Sequence, residues 1–168
     1  TLYPEDLSSI QNIKLESRRL EKWACRAALA ELIGQKSVEI AYSNHGQPLS
    51  EHGSISFSHT KDLALVVLSD HPVGADIEKI APRILKLKHK FLNQKEIQEF
   101  NIEDPHDITL IWCAKEAIFK WYAKGELDFK MLENTLCLNA DMLDKKPFEL
   151  SGGQLQRCSI FRALSMKP

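Results

Sequence analysis

Two runs of helical periodicity, separated by material that alternates instead, constrain this chain most strongly. The first covers about residues 17–31, where Ser17 is the expected N-cap, Leu20, Trp23, Ala24, Ala27 and Leu32 recur at helical spacing, and Gly34 supplies the stop. The second covers about residues 108–124, with Asp107 as cap, an apolar stripe of Leu110, Ile111, Ala114, Ala117, Ile118 and Trp121, and Gly125 as stop. Between them the period drops to two. Val38, Ile40 and Tyr42 alternate with polar residues, Asn44 to Pro48 reads as a turn, and Ile55 and Phe57 alternate with Ser54, Ser56 and Ser58. Leu63 to Leu68 reads as a buried strand, Val73 to Glu78 as another, and a basic stretch from Arg83 to Lys90 leads to a short helix near Asn93. Strand patterns return at Thr135–Asn139, Phe148–Leu150 and Leu155–Phe161, the last two flanking a Ser151-Gly152-Gly153 turn. Helix, strands, helix, strands predicts an α+β fold of two similar α/β halves, residues 1–80 and 81–168, in a pseudo-two-fold arrangement. No direct sequence repeat accompanies that division.

Composition excludes several classes without choosing a chemistry. Lysine and arginine number 22 against 23 acidic residues, a net charge of −1, which argues against a general nucleic-acid binder. The longest purely apolar run, Leu63 to Leu68, is too short to span a bilayer, and the opening residues lack the apolar block of a signal peptide. Cys25, Cys113, Cys137 and Cys158 lie far apart with no CxxC pair, as expected of reduced thiols in a cytoplasmic protein. Since the chain does not open with methionine, terminal sequence is expected to be missing.

The chemistry concentrates in carboxylates. On a strand, Asp76 and Glu78 of Val73-Gly74-Ala75-Asp76-Ile77-Glu78 project to one side, about 7 Å apart, while Val73, Ala75 and Ile77 face the core. Such a pair suits a divalent cation with oxygen ligands, and equally suits a strand end in solvent. Glu116 and Lys120 in Trp112-Cys113-Ala114-Lys115-Glu116-Ala117-Ile118-Phe119-Lys120 share a helix face, either as a surface ion pair or as a third carboxylate beside an anion-binding lysine. Ser58 and His59 end a strand on opposite faces, so they form no hydrolase dyad, although both can donate to phosphate.

Taken in order, Gly46-Gln47-Pro48, Ser56-Phe57-Ser58-His59, Gly74-Ala75-Asp76-Ile77-Glu78 and Trp112-Cys113-Ala114-Lys115-Glu116-Ala117 with Lys120 and Gly125 resemble the 4′-phosphopantetheinyl transferase superfamily. The glutamate two positions after the aspartate is similar to its larger, monomeric class, the type that activates surfactin synthetase. The resemblance implies that fold with the active site in the cleft between the halves, and transfer of 4′-phosphopantetheine from coenzyme A to a serine of an acyl or peptidyl carrier protein, releasing 3′,5′-ADP. It implies Mg²⁺ on Asp76, Glu78 and Glu116, with Glu116 accepting the serine proton, Lys120 stabilising the leaving oxygen and His59 assisting. It further implies coenzyme A contacts from Arg19, Arg26, Gln47, Ser58, His59, Lys115 and Lys120, and neither nucleic acid nor membrane as partner. Arg19, Lys22 and Arg26 share one helix stripe, and Arg26 matches the family's 3′-phosphate contact best. Gln47 stands where the family has lysine, which also admits a relative that binds coenzyme A or a carrier without turnover. Ala75 replaces a larger aliphatic residue. The basic stretch Arg83, Lys86, Lys88 and Lys90 is a candidate for attracting an acidic carrier.

One string points elsewhere. Leu150-Ser151-Gly152-Gly153-Gln154-Leu155-Gln156-Arg157 is similar to the signature of ABC-transporter ATPases. That motif works with a Gly-x-x-x-x-Gly-Lys-Ser/Thr loop, which the sequence lacks; Gly34-Gln35-Lys36-Ser37 is the nearest string and has no upstream glycine. A hairpin turned by Ser-Gly-Gly accounts for the string physically.

Overall fold

The computed structural model describes residues 10–122. Helix α1 (Glu16–Ile33) leads into four strands, β1 (Ala41–Tyr42), β2 (Pro48–Ser50), β3 (Gly53–Thr60) and β4 (Leu63–Ser69). An extended segment over residues 72–81 follows, then a 3-10 turn (Pro82–Lys86) and helices α2 (Lys88–Phe91), α3 (Gln94–Glu99) and α4 (Pro105–Tyr122). The α+β class is as expected. The strands predicted after residue 134, the Ser-Gly-Gly turn, Cys137 and Cys158 lie outside the described residues.

The sheet is an antiparallel meander in the order β1-β2-β3-β4. Its longest ladder pairs Ser54 with Ser69 through to Thr60 with Leu63, closed by Lys61 and Asp62. Asp62 takes the left-handed conformation (φ 67°) that such a two-residue turn demands. Helix α1 packs against β3 and β4, joining Leu29 to Val38 and Ile55 with Ile33, Phe57, Val66 and Leu68 around them. A second cluster, Phe91, Leu92, Ile108 and Ile111, ties α4 to the 3-10 turn and α2, with Trp112 edge-on to Phe91 at 5.0 Å between centroids.

Three expectations change. The anticipated stripe of α1 is not its buried face: Leu20 and Leu32 are 62% and 57% exposed, Trp23, Ala24 and Ala27 are also exposed, and Cys25, Arg26 and Leu29 face inward. Packing of β3 and β4 against Leu29 sets the helix rotation, and Arg26 is tolerated inside because its guanidinium lies over the rings of Tyr42 and Phe57 at 5.9 and 5.4 Å. That helix also begins at Glu16, with no side-chain cap from Ser17. Helix α4 starts earlier than expected, because Pro105 occupies its first position and Asp104, not Asp107, accepts the amide of His106 at 2.9 Å. The third change concerns residues 73–78, which belong to no strand. The helix near Asn93 is confirmed, opened by a capping box in which Asn93 and Glu96 exchange side-chain and backbone bonds. Among the described residues no helix is long and apolar enough to cross a membrane.

Candidate active site

Strand β3 builds the site from both of its faces. Ile55, Phe57 and His59 point toward α1, so Ser56, Ser58 and Thr60 point the other way. Those three hydroxyls hold the extended segment in place of a backbone ladder. Ser56 Oγ accepts the Ala75 amide at 2.9 Å and donates to the Ala75 carbonyl at 3.4 Å. Ser58 Oγ accepts the Ile77 amide at 3.1 Å and donates to Asp76 Oδ1 at 2.6 Å. Thr60 Oγ1 donates to Glu78 Oε2 at 3.1 Å. Asp76 and Glu78 therefore keep the two-residue relation anticipated for a strand, although no strand is there.

Helix α4 closes over the same segment. A Cβ on Gly74 would lie 1.9 Å from the Ala117 carbonyl and 2.6 Å from the Trp121 amide, so only glycine lets the two backbones approach this closely. One turn away, Lys120 Nζ donates to Asp76 Oδ1 at 2.6 Å and to the Ala75 carbonyl at 3.1 Å. Burial pushes the Glu116 carboxyl above its usual range, the negative Asp76 adds to the rise, and Lys120 offsets part of it. Burial, with Asp76 and Glu78 beside it, likewise holds the Cys113 thiol protonated.

This cluster carries more negative charge than one lysine balances. Asp76 is 6% exposed, and its Oδ2 is buried with no hydrogen-bond partner. A buried carboxylate oxygen left this way is costly, and a hard cation with oxygen ligands is its natural complement. Asp76, Glu78 and Glu116 do not bring one oxygen each within 4.8 Å of one another. Among the described residues the trio that does is Asp104, His106 and Asp107, whose groups already bond to one another and cap α4. The carboxylate oxygens of Asp76, Glu78 and Glu116 are donors of the kind Mg²⁺ takes, and as placed they do not converge on one point.

Lys120 also lines a cleft of about 670 Å³ between α1, the β1–β2 turn, β3 and α4. Lys22 and Arg26 of α1, His45 of the turn and His59 of β3 add cationic or protonatable groups, Tyr42, Phe57 and Phe119 add apolar wall, and no carboxylate lines it among the described residues. Gly46, at φ 78°, makes the turn that brings His45 and Gln47 to the rim. The Arg26 guanidinium donates to Tyr42 Oη at 3.1 Å, fixing a positive wall. His59 Nδ1 is 3.0 Å from Glu21, which orients the imidazole.

Of the residues anticipated from sequence, the structure brings Arg26, Gln47, His59 and Lys120 into this cleft, sets Asp76 on the Lys120 ammonium, and places Glu116 where it feels the charges of Asp76, Lys120 and Glu78. It places three elsewhere. The Ser58 hydroxyl is buried and already used by Asp76 and Ile77. The Lys115 ammonium has no exposed surface and donates to the Phe91 carbonyl at 2.6 Å and to Glu96 at 2.8 Å. Arg19 donates to the Ile13 carbonyl at 3.4 Å and does not line the cleft. Sequence reasoning overlooked Thr60, whose position in the Ser56-x-Ser58-x-Thr60 alternation is a visible signal. It also overlooked Tyr42, His45 and Phe119, which carry no local signal.

The cleft is cationic and part-aromatic, and it meets the buried Asp76 through Lys120. The family model described as the 4′-phosphopantetheinyl transferase superfamily matches residues 72–161, and the chain belongs to that superfamily. A curated protein, the Fe(3+) ions import ATP-binding protein FbpC of Pseudomonas fluorescens (strain Pf0-1), is 48% identical over 46 residues, which is 27% of this chain and 13% of that protein. The chain thus spans only about an eighth of that relative.

Proposed function

We propose that the chain transfers the 4′-phosphopantetheine group of coenzyme A to a serine of an acyl or peptidyl carrier protein. The observation that carries this reading is the continuity from a carboxylate-free, cationic cleft through Lys120 to Asp76, whose buried Oδ2 has no partner. Family membership supplies the reaction class.

In this mechanism Lys22, Arg26 and His59 bind coenzyme A phosphates, while the rings of Tyr42 and Phe57 shape the cleft and keep the Arg26 charge directed into it. The carrier serine oxygen attacks the phosphorus that bears pantetheine. A new P–O bond forms, the bond to the bridging oxygen breaks, and its electron pair leaves with 3′,5′-ADP. Glu116 accepts the serine proton. Lys120 offsets charge on the departing oxygen. Asp76, Glu78 and Glu116 would hold Mg²⁺, which when bound neutralises the pyrophosphate and polarises it for attack. The working form is taken as a cytoplasmic monomer with residues 1–80 and 81–168 as its two halves. Gln47 in the rim supplies a neutral hydrogen bond in place of a lysine.

Incubation of the chain with coenzyme A, Mg²⁺ and apo-carrier proteins, followed by weighing the carriers, tests the reading. A gain of one phosphopantetheine arm is expected. Tight coenzyme A binding with no gain across several carriers would leave a non-catalytic binder instead. A second reading, a nucleotide-binding fragment of the ABC type, rests on residues 150–157 and the 46-residue match. Tight ATP binding without coenzyme A affinity would favour it.

A further inference from the structure

Segment 72–81 has no strand partner, yet it carries two of the three carboxylates on which the proposed reaction depends. Its ties to the sheet are made by side chains. Asp76 Oδ1 receives both Ser58 and Lys120, which leaves Oδ2 as the oxygen without a partner. Thr60 takes Glu78 Oε2 in the same way, leaving Oε1 as the other oxygen of that carboxylate. Ser56 engages both the amide and the carbonyl of Ala75, so the backbone between Gly74 and Asp76 cannot slide along β3 without breaking two bonds. Ser58 and Thr60 are 5% and 8% exposed, so water competes poorly for either hydroxyl.

We propose that Ser56, Ser58 and Thr60 act as positioning residues, a ladder of hydroxyls that chooses which oxygen of Asp76 and which of Glu78 is offered to a divalent cation. The ladder works through the period of β3. Hydroxyls two residues apart on one face meet Ala75, Asp76 and Glu78, so the sheet itself sets the spacing of the carboxylates. Partners of metal ligands commonly alter affinity by about 10–100-fold when removed. This inference rests on the metal-dependent transferase reading and assigns Ser58 to Asp76 and not to phosphate.

The test uses the full chain without substrate. Mn²⁺ affinity is read by electron paramagnetic resonance for the wild type, Thr60→Val and Thr60→Ser, and amide exchange of Ala75 and Ile77 is read for Ser58→Ala. Thr60→Val keeps the shape and loses the donor, and is expected to weaken Mn²⁺ about tenfold, with Thr60→Ser within about twofold of wild type. Ser58→Ala is expected to speed exchange at Ile77 about tenfold through local opening. Wild-type Mn²⁺ affinity in Thr60→Val, or equal weakening in Thr60→Ser, overturns the ladder while leaving the transferase reading in place. Unchanged Ile77 exchange in Ser58→Ala overturns it too, by a readout that needs no metal. No Mn²⁺ uptake by the wild type overturns the metal reading, and the proposal with it.

Discussion

Helix α4 presents two lysine–carboxylate pairs, Lys115 with Glu96 at 2.8 Å and Lys120 with Asp76 at 2.6 Å, and the two are built for opposite purposes. The first is closed. Lys115 is sealed from solvent and adds the Phe91 carbonyl, while Glu96 Oε2 also accepts the Asn93 amide of the α3 capping box. The second is open. Lys120 keeps 28% of its side chain exposed in the cleft, and Asp76 retains a buried oxygen with no partner. A sealed pair holds elements together, whereas the pair that faces the cleft is the one on which the proposed reaction draws.

The sharpest way to break the contrast is to neutralise the open pair. Asp76→Asn is expected to lower Mg²⁺-dependent transfer on the order of 10³-fold, about 4 kcal/mol of transition-state stabilisation, with the melting temperature little changed. Removing the closed pair has the reverse signature. Lys115→Met strands Glu96 and is expected to cost about 3–5 kcal/mol in urea unfolding, with coenzyme A affinity of the folded protein unchanged. Gly74→Ala pushes segment 73–78 off α4 and is expected to cost about 1–3 kcal/mol, since the added carbon meets backbone that cannot yield. Calorimetry checks that loss, and transfer rates should fall with it because Asp76 moves away from Lys120.

The smallest effect is a pH slope. Glu116 binds its proton more tightly in the folded than in the unfolded chain, so its contribution to stability is full below 4.5 and declines as pH rises toward the elevated folded value. In metal-free buffer, Glu116→Gln should therefore unfold at a urea midpoint that falls less with pH above 4.5 than the wild-type midpoint does.

Where side chains act through their own element, the sequence was a good guide. The apolar stripe of α4 buries Leu110, Ile111, Ala114, Ala117 and Ile118 as anticipated, and only Trp121 stays 40% exposed. The pairing of β3 with β4 is as anticipated, but β4, read as a buried strand, keeps no residue fully buried and leaves Leu63 43% exposed. Where a partner lies far along the chain, the sequence misled. Lys115 reads as a phosphate contact because Glu96, 19 residues away, is invisible as its partner until the helices pack. Arg26 reads as a phosphate contact, and nothing near it in sequence announces the rings of β1 and β3 that bury it. Val73 to Glu78 reads as a strand because the hydroxyls of β3 impose a two-residue period without a ladder.

If the open pair joins the cleft to a metal, Mg²⁺ and coenzyme A must help each other bind. Titration calorimetry of coenzyme A with and without Mg²⁺, on the wild type and on Asp76→Asn, measures that coupling directly. The predicted result is a gain in affinity of about tenfold with Mg²⁺ in the wild type, within the usual range for coupled sites, and none in the variant. Equal gains in both proteins, or none in either, would contradict it.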